Sequence, residues 1–165
     1  MEPSITVLPE TRLIGQRLSM SLNQDRTFQL FRGFMPRRRE ITNVLNSDVF
    51  CMRVHTTLQQ YEHFDFDSLF DKWAAVPVTD HTFVPPGMEA YTIRGGLYAV
   101  FLYRGRPSEG ERMFRYIFTQ WLPASAYELD LREHFDILGE KYRPDDPESE
   151  EELWIPIRQK TASAI

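Results

Sequence analysis

Trp73-Ala74-Ala75-Val76-Pro77-Val78 and Trp154-Ile155-Pro156-Ile157 decide how this chain folds. Each stretch sets a tryptophan a few residues ahead of a proline that is followed by a β-branched residue, and Pro156 follows Pro77 by 79 positions. Around the two stretches the chain runs twice through strand, helix, strand, strand. The first round has candidate strands at Leu13–Ser19, Val49–Thr56 and Trp73–Val78, with a helix from about Arg26 to Ile41. The second has strands at Leu97–Tyr103, Ala126–Phe135 and Glu152–Arg158, with a helix opening near Ser108. A further strand is expected at Met88–Ile93. The helix starts are offset by nearly the same distance as the prolines. Two concordant offsets point to a duplicated α+β unit, its halves at about 5–80 and 86–158, packed about a pseudo-twofold axis within one domain, 1–165.

The helices are legible from periodicity. Phe114, Ile117, Phe118 and Trp121 fall at i, i+3, i+4 and i+7, one face of a helix. Ser108 and Glu111 have the spacing of a capping box before it, and Pro123 is the expected stop. In the earlier helix Phe28, Phe31 and Met35 are expected to point inward, with Arg37-Arg38-Arg39 near the final turns, where cations complement the helix dipole. Gly95-Gly96 reads as a turn between strands, and Arg143–Glu150, acidic and broken by Pro144 and Pro147, as a solvated hairpin loop.

Composition narrows the function classes. The 165 residues are 42% hydrophobic and 13% aromatic, enough for a sizeable core and for rings to spare along a cavity. Cys51 is the single cysteine, which excludes an intrachain disulfide and a multi-thiolate zinc site, and its run Val49-Phe50-Cys51-Met52 reads as a buried, inert thiol. No basic leader followed by an apolar stretch opens the chain, and no run reaches the ~18 apolar residues that span a bilayer, so a cytoplasmic place is expected, with no membrane partner. The formal charge of −5, from 24 acidic and 19 basic residues, argues against direct nucleic-acid binding. Arg37-Arg38-Arg39 reads as a solvated helix end. Asp65-Phe66-Asp67 lacks the spacing of a calcium loop, and His55, His63, His81 and His134 form no paired-ligand pattern; neither a metal nor a cofactor is expected.

The order of segments resembles one family. Trp73–Val78 resembles its central "yWaGvPV" segment, and Pro86–Phe101 its "p-G-l-e…ip-aGkYavf" segment. Trp121-Leu122-Pro123-Ala124-Ser125-Ala126-Tyr127-Glu128-Leu129 is similar to "WlPxSgyel". His134–Tyr142 followed by Glu152–Ile157 resembles the closing "dFExY…e-x-yIPI". These segments, in this order over nearly the whole chain, resemble the GyrI-like, AraC-type effector-binding family. The resemblance implies tandem βαββ units with a ligand cleft between them. It also implies an aromatic-walled pocket with a glutamate from the "FExY" strand at its base. Here Asp136 stands at the glutamate position and Leu138 at the tyrosine position. Glu140 shares strand parity with Asp136 and is expected to substitute for it in part.

Residue types support such a site. Aromatic faces attract a delocalised cation, worth ~2 kcal/mol each when desolvated, and a carboxylate supplies the countercharge. Burial should raise that carboxylate's pKa in the empty pocket and a cation should lower it again. The candidates are Trp73, Tyr91, Tyr98, Phe101, Trp121, Asp136, Glu140 and Trp154. Each aromatic has ordinary core packing as its competing reading, Trp121 most of all because it ends a helical stripe. The expected function is binding of hydrophobic, cationic or aromatic small molecules for sensing or sequestration. The alternatives are hydrolysis of reactive xenobiotics with Asp136 or Glu140 as base, and a module that engages gyrase or a transcription regulator. Residues 1–20 leave no room for a helix-turn-helix ahead of the first strand, so any contact with DNA is expected through a separate protein.

Overall fold

The computed structural model describes residues 1–55 and 66–161. Its nine strands are β1 (Ser4–Leu8), β2 (Thr11–Met20), β3 (Val49–Val54), β4 (Phe70–Pro77), β5 (Glu89–Ile93), β6 (Gly96–Arg104), β7 (Tyr127–Leu129), β8 (His134–Leu138) and β9 (Glu150–Gln159). All pair antiparallel in one sheet, ordered β1-β6-β9-β8-β3-β4-β2-β5, with β7 also on β9. With its helices the fold is α+β, as expected. From the centre outward the order is β3-β4-β2-β5 on one side and β8-β9-β6-β1 on the other, four strands each, with β7 off this path on β9.

Two short links force this sheet to curl. Pro9-Glu10 joins β1 to β2, and Arg94-Gly95 joins β5 to β6, although the partners of each link lie near opposite ends of the sheet. Two intervening residues reach roughly 10 Å, so the ends must meet. At the meeting point Gly95 has φ +91°, and a Cβ there would lie 2.3 Å from the Leu8 carbonyl oxygen. A side chain is excluded, both by that contact and by the left-handed backbone.

Alternation along each strand gives the two faces different neighbours. One face is covered by the helices. Ile14, Ala74 and Val76 pack with Leu30 and Phe34, while Ala99, Phe101, Leu153 and Ile155 pack with Met113 and Ile117. The other face closes on itself around Leu13, Phe50, Met52, Trp73, Ala75, Ile93, Tyr98 and Phe135. That cluster draws on both ends of the sheet and so lies inside the curl.

Helix α1 spans Thr27–Phe34 and passes into a 3-10 segment, Met35–Glu40, instead of continuing as one helix to Ile41. Pro36 has no N–H to give to the carbonyl four residues back, which favours the tighter winding. Leu30 and Phe34 are its buried pair, Phe31 and Met35 are partly buried, and Phe28, expected inside, is 78% exposed. Helix α2 starts at Glu111–Tyr116, widens into a π-helical turn at Ile117–Trp121 and ends in the turn Leu122–Ala124. The expected capping box does not form. Pro107 opens a 3-10 turn, Pro107–Glu109, that takes in Ser108, and Gly110 precedes the helix without a side-chain cap. Nor does Pro123 stop the helix. In the π turn the Leu122 N–H reaches the Ile117 carbonyl, and the wider winding accommodates the missing proline donor. The stripe Phe114, Ile117, Phe118 and Trp121 packs on the sheet as its spacing predicts.

The strand expected at Ala126–Phe135 is broken into β7 and β8 by Asp130–Glu133, where Arg132 turns inward. Its guanidinium donates to the carbonyls of Gly95, Leu97 and Ile157 and lies 4.6 Å over the Tyr98 ring. Strand β1 carries no strong signal in the sequence. Thr56, His63 and Asp65 lie outside the described residues.

Candidate functional site

Under each helix the sheet is apolar; between the helices it is charged. There β3 and β8 run side by side, with Cys51 opposite Asp136 and Arg53 opposite His134. On the flanking strands Lys72 of β4 pairs with Arg53, and Leu153 of β9 pairs with Asp136. Two residues along β9, Glu151 points to the same side as Leu153. Asp136 therefore sits at the midline of the sheet, on the face the helices flank.

Asp136 is largely buried and only loosely paired. Arg53 Nη2 stands 3.6 Å from Asp136 Oδ1, with both side chains largely buried. Oδ1 accepts no hydrogen bond among the described residues. The Arg53 guanidinium lies 4.6 Å over the Phe114 ring, and Lys72 Nζ donates to Thr27 Oγ1 at 2.8 Å. Burial raises the Asp136 pKa, opposed by Arg53 and Lys72. Burial and then the Asp136 charge push Glu151 up to about 7. The Tyr142 phenol rises to about 12, chiefly from burial, and the Cys51 thiol is raised by the same cause, in keeping with an unreactive thiol. Burial and the Arg53 charge lower His55 to about 4 and hold His134 well below its ordinary value, so both rings are neutral at pH 7. Among the described residues no group of three His, Cys, Asp or Glu is placed to hold a metal ion.

The structure separates the residues that the sequence reading gathered. Trp73, Tyr91, Tyr98 and Trp154 lie on the face away from the helices. Trp73 meets Tyr91 at 5.2 Å, and Tyr98 meets Trp154 at 5.7 Å. Phe101 is fully buried beneath α2, edge-on to Trp121 at 5.1 Å, and Trp121 stacks on Tyr127. Glu140 does not join Asp136. Strand β8 ends at Leu138, so parity no longer governs position 140, and its side chain is exposed. The rings on the helix side near Asp136 are others: Phe114 over Arg53, Phe118 stacked on His134, and Phe70 stacked on His55.

Sequence reasoning missed Arg53, Lys72 and Glu151. A signal was present for Glu151, which shares the alternation of Leu153, Ile155 and Ile157 but precedes the predicted start of that strand. Arg53 alternates with Cys51 in the same way. Nothing in the sequence alone shows that β3 and β8 are neighbours.

The family profile described as the GyrI-like small molecule binding domain matches residues 1–158. The chain belongs to this family. No curated protein matches the sequence. Among solved structures it is similar to SAV2435 bound to tetraphenylphosphonium, at 17% identity and TM-score 0.62, covering 96% of this chain and 94% of that one. It also resembles a putative transcription regulation protein from Staphylococcus aureus MU50, at 16% identity and TM-score 0.60, covering 96% and 99%. A third likeness is to a hydrolase from Listeria innocua, at 10% identity and TM-score 0.56, covering 95% and 92%. At these identities the likenesses establish a shared fold. Among the described residues no helix is long and apolar enough to cross a membrane.

Proposed function

We propose that the cleft between α1 and α2 binds hydrophobic small molecules of aromatic and cationic character, for sensing or sequestration. One observation carries the reading: a buried carboxylate, Asp136, stands at the midline of the sheet with an oxygen that accepts no hydrogen bond among the described residues. A buried acceptor left in this state costs stability, which a ligand donor or cation would recover. Glu151 stands close enough for the Asp136 charge to raise its pKa and doubles the countercharge once ionised. Phe114 and Phe118 on α2 bring rings to Arg53 and His134 on the same strip of sheet. The family description and the tetraphenylphosphonium held by a protein of the same fold favour this ligand class. The similarity to a putative transcription regulation protein favours sensing.

The test is a titration with tetraphenylphosphonium and with neutral triphenylphosphine oxide, followed by tryptophan fluorescence. The cation should saturate the protein and the neutral analogue should bind more weakly. Asp136→Asn should weaken the cation at least tenfold. Equal binding to the variant would remove Asp136 from the site, and no saturation by either compound would overturn the reading. Because cation binding favours ionised carboxylates, affinity should rise with pH through about 7, where Glu151 gives up its proton. In Glu151→Gln that rise should vanish.

A further inference from the structure

Charge is segregated across the face of the sheet between α1 and α2. Lys72 on β4 and Arg53 on β3 pair in register on one side of the midline; Asp136 on β8 and Glu151 on β9 hold the other. The boundary falls between β3 and β8, where Arg53 Nη2 and Asp136 Oδ1 stand 3.6 Å apart. A closed guanidinium–carboxylate pair has N–O distances of roughly 2.8 Å, usually two of them. This pair is open. Arg53 has five N–H donors and makes no hydrogen bond among the described residues, its guanidinium carbon lying 4.6 Å over the Phe114 ring. Asp136 Oδ1 is likewise unmatched. Lys72 is partly engaged, donating to Thr27 Oγ1 at 2.8 Å, with Asp25 close enough to feel its charge.

A simple cation fits this face imperfectly. It would meet the carboxylates of β8 and β9 while also feeling Arg53 and Lys72 at the same midline. A guest that carries both signs meets each half of the face with the opposite charge. It also closes both open partners, donating toward Asp136 and accepting from Arg53.

We infer that the cleft takes a zwitterionic aromatic small molecule, its cationic group over Asp136 and Glu151 and its anionic group against Arg53. This rests on the small-molecule reading above and narrows its ligand class. Arg53 is then the residue that sets preference between a plain cation and a zwitterion of the same body.

Rhodamine B and its ethyl ester test this directly, because they share one ring system and differ in whether the carboxylate is free. Fluorescence anisotropy should show the wild-type protein binding the free acid at least tenfold more tightly than the cationic ester. Arg53→Gln should abolish that preference, and Arg53→Lys, which keeps the charge, should retain part of it. Near-UV circular dichroism of each variant checks that the fold persists. If Arg53→Gln fails to fold, the wild-type ratio and the Arg53→Lys ratio still decide the matter. Tighter or equal binding of the ester by the wild type overturns the zwitterion inference and leaves the small-molecule site standing. A preference that survives unchanged in Arg53→Gln overturns the role of Arg53 and the inference with it. If neither compound binds, the inference and the small-molecule reading fall together.

Discussion

The two faces of the sheet are made by alternate residues of the same strands, yet they are built on opposite principles. Inside the curl, Phe135 stacks on Phe50 at 4.9 Å and on Trp154 at 5.3 Å, and Tyr98 closes the group at 5.3 Å from Phe135. One residue further along, on the helix side, Asp136 faces Arg53 across 3.6 Å with an unmatched oxygen. The first arrangement is close-packed and spends its polar groups: the Tyr98 hydroxyl donates to the Glu133 carbonyl at 3.0 Å. The second leaves charge desolvated and open. A packed face contributes stability, and a face of loosely paired charge costs stability that a ligand can restore. The helix side also holds an apolar core under each helix, so the candidate site is confined to the charged strip between them.

That division can be broken from the packed side first. Phe135→Ala removes a fully buried ring with three aromatic neighbours and should cost about 3–5 kcal/mol in urea or thermal unfolding. A cost below ~1 kcal/mol would mean that the curl is not the stability core.

Next in size is the pH dependence of the charged side. The folded-state pKa of Glu151, about 7, lies above its ordinary carboxylate value. Between pH 4.5 and 7 the folded chain holds a proton there that the unfolded chain has lost, so the contribution of Glu151 to stability falls as pH rises across that window. Relative to Glu151→Gln, the wild type should lose on the order of 2 kcal/mol between pH 4.5 and 7.5. His55 and His134 act with the opposite sign, since both stay neutral in the fold at pH values where the unfolded chain is protonated. Their effect is common to both proteins and cancels in the difference. A flat difference would place Glu151 in water.

Smaller effects sharpen the contrast. Tyr98→Phe deletes one hydrogen bond from the packed face and should cost about 1 kcal/mol without altering ligand affinity. Asp136→Asn should change stability by less than ~1 kcal/mol, because relief of a desolvated charge is offset by loss of the partner of Arg53. Its effect should appear in ligand binding instead. A large stability loss in Asp136→Asn with unchanged binding would reverse the assignment of roles.

Most elements were legible along the chain because each has a local cause. Candidate strands set apart by turn signals matched β2, β3, β4, β5, β6 and β9, and the i, i+3, i+4, i+7 spacing of Phe114, Ile117, Phe118 and Trp121 marked α2. Errors arose where a neighbour outweighed the local signal. Pro107 began its turn early and displaced the Ser108 cap, the π turn carried α2 through Pro123, and Arg132 broke one expected strand into β7 and β8. Strand β1 forms because β6 offers it an edge, a cause absent from its own five residues.

The candidate site was legible in part. Asp136 was found through the segment resemblance, and the structure puts it at the midline of the sheet. The aromatics grouped with it were not sorted by face. Parity within a strand shows which residues share a side, but not which side the helices cover, nor which strands lie next to one another. Trp73, Tyr98 and Trp154 proved to be inside the curl, and Glu140 beyond the end of β8. Local composition and periodicity therefore settled the α+β class and the order of elements, and the segment resemblance pointed to the midline acid. Pairing β3 with β8 brought Arg53 and Asp136 together, and pairing β8 with β9 brought Glu151 to Asp136. These are contacts between residues far apart in sequence, and only the closure of the sheet and its burial from water put their charges within reach of one another.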